Sequence, residues 1–282
     1  MAVGSDLRPS PIAGTWYPGD ADRLAQQVDR YLAEAQLPEL RGEVIAVIAP
    51  HAGHIYSGRT AGYAFRSVLG QKFSRAAVIS PLHGYHPAAF LTTLHKGYQT
   101  PLGPVWVDRD GLADLQREME ARGLVGLNGV ARDGEHSLEI ELPFLQRAIG
   151  PDFQLLPVMV RSHHPDELRR FGEALGATLA RRPALLVAST DLSHFYPREL
   201  ANRLDETILH KIGAFDPLEV LRADEEGSGQ ACGVGAVAAV LWAAQALGAN
   251  AVQILHHSTS ADQTGDASSV VGYGAAVILK QT

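Results

Sequence analysis

The chain has little of what marks secreted or nucleic-acid-binding proteins. Its 282 residues include one cysteine, so no intrachain disulfide can form. Lysine occurs only four times, and 24 basic residues against 31 acidic ones give a formal net charge of −7. The sequence has no polybasic run, and a negative field opposes binding to nucleic acid or to an anionic membrane. We therefore expect neither of them as a partner.

The N-terminal sequence also lacks a targeting signal. The first 20 residues, MAVGSDLRPSPIAGTWYPGD, contain no charged segment followed by an apolar one. With a single cysteine and no secretory segment, the reducing cytoplasm is the expected compartment.

Residues 231–255 contain no formally charged residue, which makes this stretch a candidate for a membrane-spanning helix. Gly248-Ala249-Asn250 interrupts it. A helix of about 15 residues before that break would span only ~22 Å, whereas a bilayer core is ~30 Å thick. We expect a buried helix there, because its alanine and glycine residues favour close packing.

Composition and periodicity favour an α/β domain. Hydrophobic residues make up 46% and charged residues 20% of the chain, which is ordinary for a folded globular protein. No low-complexity linker divides the chain, so residues 1–282 are predicted to form a single domain. Most predicted strands are apolar on both faces, which is typical of a central sheet, mostly parallel or mixed, with helices on both faces. The predicted strands are 44–49, 76–80, 105–107, 153–160, 184–189, 252–255 and 270–279. The predicted helices are 22–35, 58–69, 111–122, 136–149, 165–181, 198–214 and 233–247.

Three predicted strands lead directly into turns that carry histidine or aspartate. IAVIAP precedes His51, AAVISPL precedes His83, and LLVAST precedes Asp191 and His194. In open α/β sheets, ligands bind beyond the carboxyl ends of the strands, so residues far apart in sequence can converge there. The sequence therefore predicts one composite site.

Cys232 is a candidate ligand for a metal ion at this site. It lies at the start of a predicted helix, where unpaired N–H groups favour a thiolate. Together with His51 and His83 it would leave an open coordination position that zinc, copper or iron could use. By itself, a free cysteine is often only a small buried apolar residue. If Asp191 replaced it, the site would be the two-histidine, one-carboxylate arrangement of oxygen-activating ferrous enzymes.

Other polar residues near the strand ends leave alternatives open. Asp191 and His194 could be ligands or an acid–base pair, or an aspartate helix cap with a structural histidine. His54 could support a ligand or face a substrate. The EHSLEIELPF segment supplies only His136, whereas the HExxH motif needs two histidines, so that class of zinc protease is disfavoured. A hydrolase with another zinc arrangement stays open.

Seven sequence blocks in a fixed order resemble the Memo family, whose bacterial and archaeal members are called AmmeMemoRadiSam system protein B. They extend over nearly the whole chain. The blocks are RPSPIAGTWYP, IAPHAGHIYSG, SPLHG, EHSLEIELPF, STDLSHF, ACGVGAV and DASSVVGYGAA.

The resemblance implies a single α/β domain similar to the class III extradiol dioxygenases, with a metal pocket. Carried over position by position, the family's metal ligands fall on His51, His83 and Cys232, while Asp191 and His194 line the same pocket. The resemblance also implies a small-molecule or peptide ligand in that pocket and a radical-SAM pathway partner.

Two positions depart from the family pattern. Where PHAGY is common, this chain has PHAGH, which places His54 at a position usually occupied by tyrosine. Around His83, SHH becomes LHG, so that Gly84 replaces a histidine. We expect the chemistry of the pocket to differ accordingly.

These observations lead to three functional hypotheses. The first is a mononuclear iron or copper protein with redox or dioxygenase-like chemistry, in which His51, His83 and Cys232 bind the metal while Asp191 and His194 handle protons. The second is a peptide-binding or scaffold module without turnover. The third is a zinc-dependent hydrolase in which Asp191 or His194 acts as the base.

Overall fold

Strands and helices alternate along the chain. The computed structural model describes residues 6–281; residues 1–5, which begin the N-terminal stretch considered above, and residue 282 lie outside the described residues. The twelve strands in this part of the chain are β1 Leu7–Arg8, β2 Glu43–Ala49, β3 Arg75–Pro81, β4 Phe90–Thr93, β5 Gly97–Thr100, β6 Gly103–Val107, β7 Asn128–Val130, β8 Gln154–Val160, β9 Leu185–Ser189, β10 His194–Tyr196, β11 Ala251–Thr259 and β12 Val270–Lys280. The nine α-helices are α1 Ala21–Glu34, α2 His54–Arg66, α3 Arg109–Ala121, α4 Leu142–Ala148, α5 Pro165–Arg181, α6 Arg198–Gly213, α7 Pro217–Glu225, α8 Val234–Ala246 and α9 Ala261–Thr264.

All twelve strands belong to one mixed sheet. Its main order is β1-β5-β6-β8-β3-β9-β2-β12-β10, with β11 on β12, β4 on β8 and β7 on β4. The five central strands, from β6 to β2, are parallel, whereas β12 pairs with β2 in the antiparallel direction. The predicted α/β fold with a central mixed sheet is confirmed.

Helices cover both faces of this sheet. On one face α2 packs on β2, β11 and β12 and contacts α1 and α4. On the other, α8 packs on β2, β3, β8 and β9 and contacts α5 and α7. Ten of the thirteen residues of α8 are buried, which confirms the buried helix expected in the charge-free stretch. Among the described residues, no helix combines the length and apolarity that a membrane crossing requires.

The helix predicted at 136–149 is wrong at its start. The structure has a turn of 3₁₀ helix at Glu139–Glu141 and an α-helix only from Leu142. Before the turn, the Glu135 side chain accepts the backbone N–H groups of His136 and Ser137, at 2.9 Å each. Ser137 Oγ donates to the carbonyl oxygen of Pro81 at 2.7 Å. These bonds hold residues 135–137 against the end of β3 instead of in a helix.

Close packing between α5 and α8 depends on glycine. A Cβ atom on Gly172 would lie 2.6 Å from Trp242 Cβ and 2.7 Å from the carbonyl oxygen of Ala239. The second of these contacts is with backbone, which cannot rotate away. The two helices therefore approach more closely than alanine at position 172 would allow.

We predict that Gly172→Ala lowers the free energy of unfolding by about 1–3 kcal/mol, because overpacking forces the helices apart. Urea denaturation measures this change. Gly213→Ala is the matched control, since a Cβ atom there would lie 3.7 Å from its nearest neighbour, Ile254. Equal stability of the two variants would contradict the packing account.

Candidate metal centre

The carboxyl ends of three adjacent strands bring the predicted site residues together. Strand β9 lies between β3 and β2, parallel to both. His51 follows β2, His83 follows β3 and Asp191 follows β9, each by two residues. The ring centroids of His51 and His83 are 5.3 Å apart, and His51 Nε2 lies 4.0 Å from Asp191 Oδ2.

A third imidazole, that of His136, completes a cluster. His51, His83 and His136 each offer one ring nitrogen, and these nitrogens lie within 4.8 Å of one another. Sequence reasoning considered His136 only as half of a protease motif and missed it as a ligand. The signal that could have found it is the adjacent carboxylate, Glu135, within a block that resembles a family with a metal pocket.

Hydrogen bonds to two strand ends place His136. Ser137, the next residue, donates to Pro81 at the end of β3, and its own carbonyl oxygen lies 2.7 Å from Ser189 Oγ at the end of β9. On the other side, the Trp16 ring packs on the His136 ring with centroids 4.2 Å apart. The imidazole is therefore held by both backbone and ring contacts.

The Nδ1 atom of each histidine already has a neighbour. His51 Nδ1 lies 2.9 Å from Ser189 Oγ, and His83 Nδ1 lies 3.0 Å from Glu135 Oε1. His136 Nδ1 lies 3.3 Å from the same Glu135 oxygen. Histidines that bind metals usually donate their other ring N–H to such oxygen atoms, which fixes the tautomer and leaves Nε2 for the metal. The residues present thus fit a metal ion held by three Nε2 atoms.

Glu135 contacts two of the three candidate ligands, His83 and His136. Besides its contacts with the rings, its carboxylate accepts the backbone N–H groups of His83, His136 and Ser137. Burial alone would raise the pKa of Glu135, but the hydrogen bonds from His83 and these amides bring the pKa well below its usual range. Glu135 is therefore ionised near neutral pH.

The protonation states of the cluster suit metal binding. Burial lowers the pKa of His51 well below its usual value and that of His136 to about 4. Both imidazoles are consequently neutral near pH 7 and offer a lone pair. The hydrogen bond to Glu135 raises the pKa of His83, so protonation competes more strongly with metal binding at this ring than at the other two.

Cys232 lies beside His51. Its sulfur is 3.1 Å from His51 Nε2 and accepts the backbone N–H of Asp191 at 3.3 Å. Cys232 is nevertheless not part of the group whose candidate ligand atoms all lie within 4.8 Å of one another. That group is formed by His51, His83 and His136. Burial, with a contribution from Asp191, raises the pKa of the Cys232 thiol. Desolvation thus outweighs the helix-start effect that the sequence suggested, and the sulfur keeps its proton unless a cation displaces it.

Asp191 and His194 border the cluster. Asp191 Oδ1 accepts the backbone N–H of His51 at 2.8 Å, and burial raises the pKa of Asp191 to about 7. His194 Nδ1 lies 2.8 Å from the carbonyl oxygen of Leu192, and burial lowers the pKa of His194. An aspartate with this pKa can hold or release a proton near neutral pH.

His54 packs into the core rather than the cluster. Its ring lies against Phe144, with centroids 5.0 Å apart, and its Nε2 is 3.3 Å from the carbonyl oxygen of Ile140. Burial lowers the pKa of His54 to about 4. This histidine is therefore a neutral packing residue.

A cleft of about 420 Å³ opens onto the cluster. Its lining includes His83, Gly84, Tyr85, Arg132 and His136. A Cβ atom on Gly84 would meet no atom within 4 Å, so this wall of the cleft is open. A larger groove of about 690 Å³ between α6 and β11 contains no residue of the cluster.

Fold and site together define an α/β protein whose three-histidine cluster at the carboxyl ends of central parallel strands could hold a metal ion. The model of the Memo-like protein family matches residues 8–277. The chain belongs to the Memo family.

Relatives of this family match the chain over nearly its full length. A MEMO1 family protein of Methanopyrus kandleri is 32% identical over 283 residues, covering 97% of this chain and 99% of its own. One of Methanothermobacter thermautotrophicus is 31% identical, covering 95% of this chain and 98% of its own. The crystal structure of an uncharacterized Escherichia coli K12 protein aligns with a TM-score of 0.56 at 16% identity, covering 83% of this chain and 100% of that one. That likeness concerns the fold alone.

We predict that Glu135→Gln weakens metal binding about 10–100-fold, because supporting groups of this kind hold the ligand rings in place. Competition with a chromophoric chelator, with Zn²⁺ as the probe, measures the affinity.

Asp108→Asn is the control for this variant, since Asp108 is also buried and hydrogen-bonded, to Gly111 and Arg75, but has no contact with the cluster. Its affinity for Zn²⁺ should equal that of the wild type. Wild-type affinity in the Glu135 variant would mean that this carboxylate does not support the site.

Proposed function

We propose that this Memo-family protein binds a single iron or copper ion and carries out redox, dioxygenase-like chemistry on a small molecule in the adjacent cleft. The observation that carries the proposal is the set of three imidazoles that each offer one ring nitrogen within 4.8 Å of the others, with an oxygen atom of Ser189 or Glu135 beside each Nδ1. Imidazole ligands suit iron, copper and zinc. When bound, iron or copper supplies one-electron and oxygen chemistry that amino-acid side chains lack.

His51 and His83 are the ligands common to every arrangement considered. The set implied by the family adds Cys232, and the 3.1 Å separation of its sulfur from His51 Nε2 supports this choice. The geometry adds His136. We propose both as ligands, with Cys232 losing its proton when the metal binds. A thiolate is a soft ligand, and its presence would favour copper or iron over harder cations.

Asp191 is proposed to hold and move a proton at Oδ2. Two backbone amides, from His51 and Ala52, bond to this carboxyl group and fix its orientation. Its Oδ2 lies 4.0 Å from His51 Nε2, which is close enough to face a ligand bound at the cluster. His194, whose imidazole is neutral, is proposed as its partner in proton transfer.

The burial of the residues behind the cluster supports a catalytic role for the site rather than simple storage of a metal. His51 is 1% exposed and Asp191 is 4% exposed, whereas Tyr85 at the rim of the cleft is 88% exposed. Water is thus excluded behind the cluster, while a ligand can enter past His83 and His136. Polar groups that face a ligand in such a dry site act more strongly than they would in water.

Metal analysis of proteins purified without oxygen tests this proposal. We expect one metal ion per wild-type chain and its loss from His51→Ala and His83→Ala, because each substitution removes a ligand atom. Cys232→Ala and His136→Ala should each bind the metal more weakly. His164→Ala, which changes an exposed histidine at the start of α5, is the matched control.

Each variant bears on a different part of the proposal. Full metal content with unchanged affinity in Cys232→Ala would exclude the sulfur as a ligand, and the same result in His136→Ala would exclude the third imidazole. A wild-type protein that binds no metal would overturn the proposal and favour a peptide-binding module.

A zinc-dependent hydrolase is the second candidate, and the third imidazole favours it. Zinc held by three histidines with one open position activates water at neutral pH. Hydrolytic activity of the zinc-loaded protein in the absence of oxygen would select this function, whereas oxygen uptake by the iron or copper form would select the first.

A further inference from the structure

The N-terminal arm, residues 8–17, packs against the segment that carries Glu135 and His136. Its first residue, Arg8, has a side chain that is only 3% exposed. Its Nη2 donates to the carbonyl oxygen of Glu135 at 2.6 Å and to Asp133 Oδ1 at 2.6 Å, while Nη1 donates to Glu139 Oε2 at 2.5 Å. The guanidinium carbon lies 5.2 Å from the centre of the Tyr98 ring. One buried side chain thus bonds to the chain on both sides of His136.

Other residues of the arm complete this contact. Tyr17 donates its hydroxyl hydrogen to Glu139 Oε1 at 2.7 Å, and Ser10 also bonds to that oxygen. Trp16 packs its ring on His136 itself. The arm therefore fixes both the backbone around His136 and the plane of its ring.

We propose that Arg8 is a positioning residue for the metal centre, an inference that rests on the proposed function. Arg8 fixes the turn that contains Glu135, and Glu135 in turn bonds to the backbone N–H and the ring of His83. Through this chain of contacts Arg8 sets the positions of two histidine ligands. Lysine cannot reproduce the effect, because a single ammonium group lacks the planar fork that reaches Asp133, the Glu135 carbonyl and Glu139 together.

A purely structural role is the alternative, and the chain offers a matched control for it. Arg75 donates its Nε hydrogen to the buried carboxylate of Asp108 at 2.9 Å. This ion pair joins the beginning of β3 to the beginning of α3, whereas the cluster follows the far end of β3. Arg75→Met should therefore affect stability without reaching the cluster.

The test compares Arg8→Lys, Arg8→Met and Arg75→Met with the wild type. Zn²⁺ affinity is measured by chelator competition, and urea denaturation measures stability. We expect the two Arg8 variants to lose about 10–100-fold in affinity, as for other groups that orient metal ligands. The Arg75 variant should lose stability and keep its affinity. Arg8→Lys retains the positive charge, so it is the informative variant if Arg8→Met does not fold.

Long-range ¹H–¹⁵N spectra of the histidine rings, recorded without metal, separate this inference from the proposed function. In the wild type and in Arg75→Met we expect His83 and His136 to carry hydrogen on Nδ1. In Arg8→Lys we expect these rings no longer to adopt only the tautomer with hydrogen on Nδ1. Unchanged ring spectra and unchanged Zn²⁺ affinity in the Arg8 variants would overturn the inference. If the ring spectra change but the wild-type protein binds no metal, only the proposed function is overturned.

Discussion

The candidate metal centre depends above all on one buried carboxylate, that of Glu135. It accepts three backbone N–H groups and faces the Nδ1 atoms of two imidazoles. A buried charge with so many donors is stable where an isolated one would be very costly. It joins His83 to the turn containing His136, which Ser137 also ties to Pro81 at the end of β3. The two rings stack with centroids 4.8 Å apart, and both Nδ1 atoms lie beside the same Glu135 oxygen.

The parallel strands supply the rest of the geometry. Because β2, β9 and β3 are neighbours and point the same way, the residues that follow them meet at one edge of the sheet. Ser189 at the end of β9 then serves both sides of the site, since its hydroxyl faces His51 Nδ1 and the carbonyl oxygen of Ser137. The sheet places His51 and His83, Glu135 lies beside the Nδ1 atoms of His83 and His136, and Arg8 ties the Glu135 turn to the N-terminal arm.

Much of this arrangement could be predicted from the sequence. Long apolar runs identified the central strands, and the turns after them correctly nominated His51 and His83 as neighbours. The five short strands β1, β4, β5, β7 and β10 were missed, because strands of two to four residues are defined by pairing with distant segments and not by their own periodicity. His136 was missed for a related reason. Its place depends on Ser137 and Glu135 bonding to residues more than 50 positions away, and a helical pattern in the sequence concealed that turn.

Anomalous diffraction from a crystal of the metal-loaded protein tests the central claim most directly, because it locates the ion and identifies the element. The account predicts one ion about 2.0–2.1 Å from the Nε2 atoms of His51, His83 and His136, the range that zinc shows with imidazole ligands. The Nδ1 atoms should keep their present neighbours, Ser189 and Glu135. An ion bound through Nδ1, or one located away from these three rings, would contradict the account.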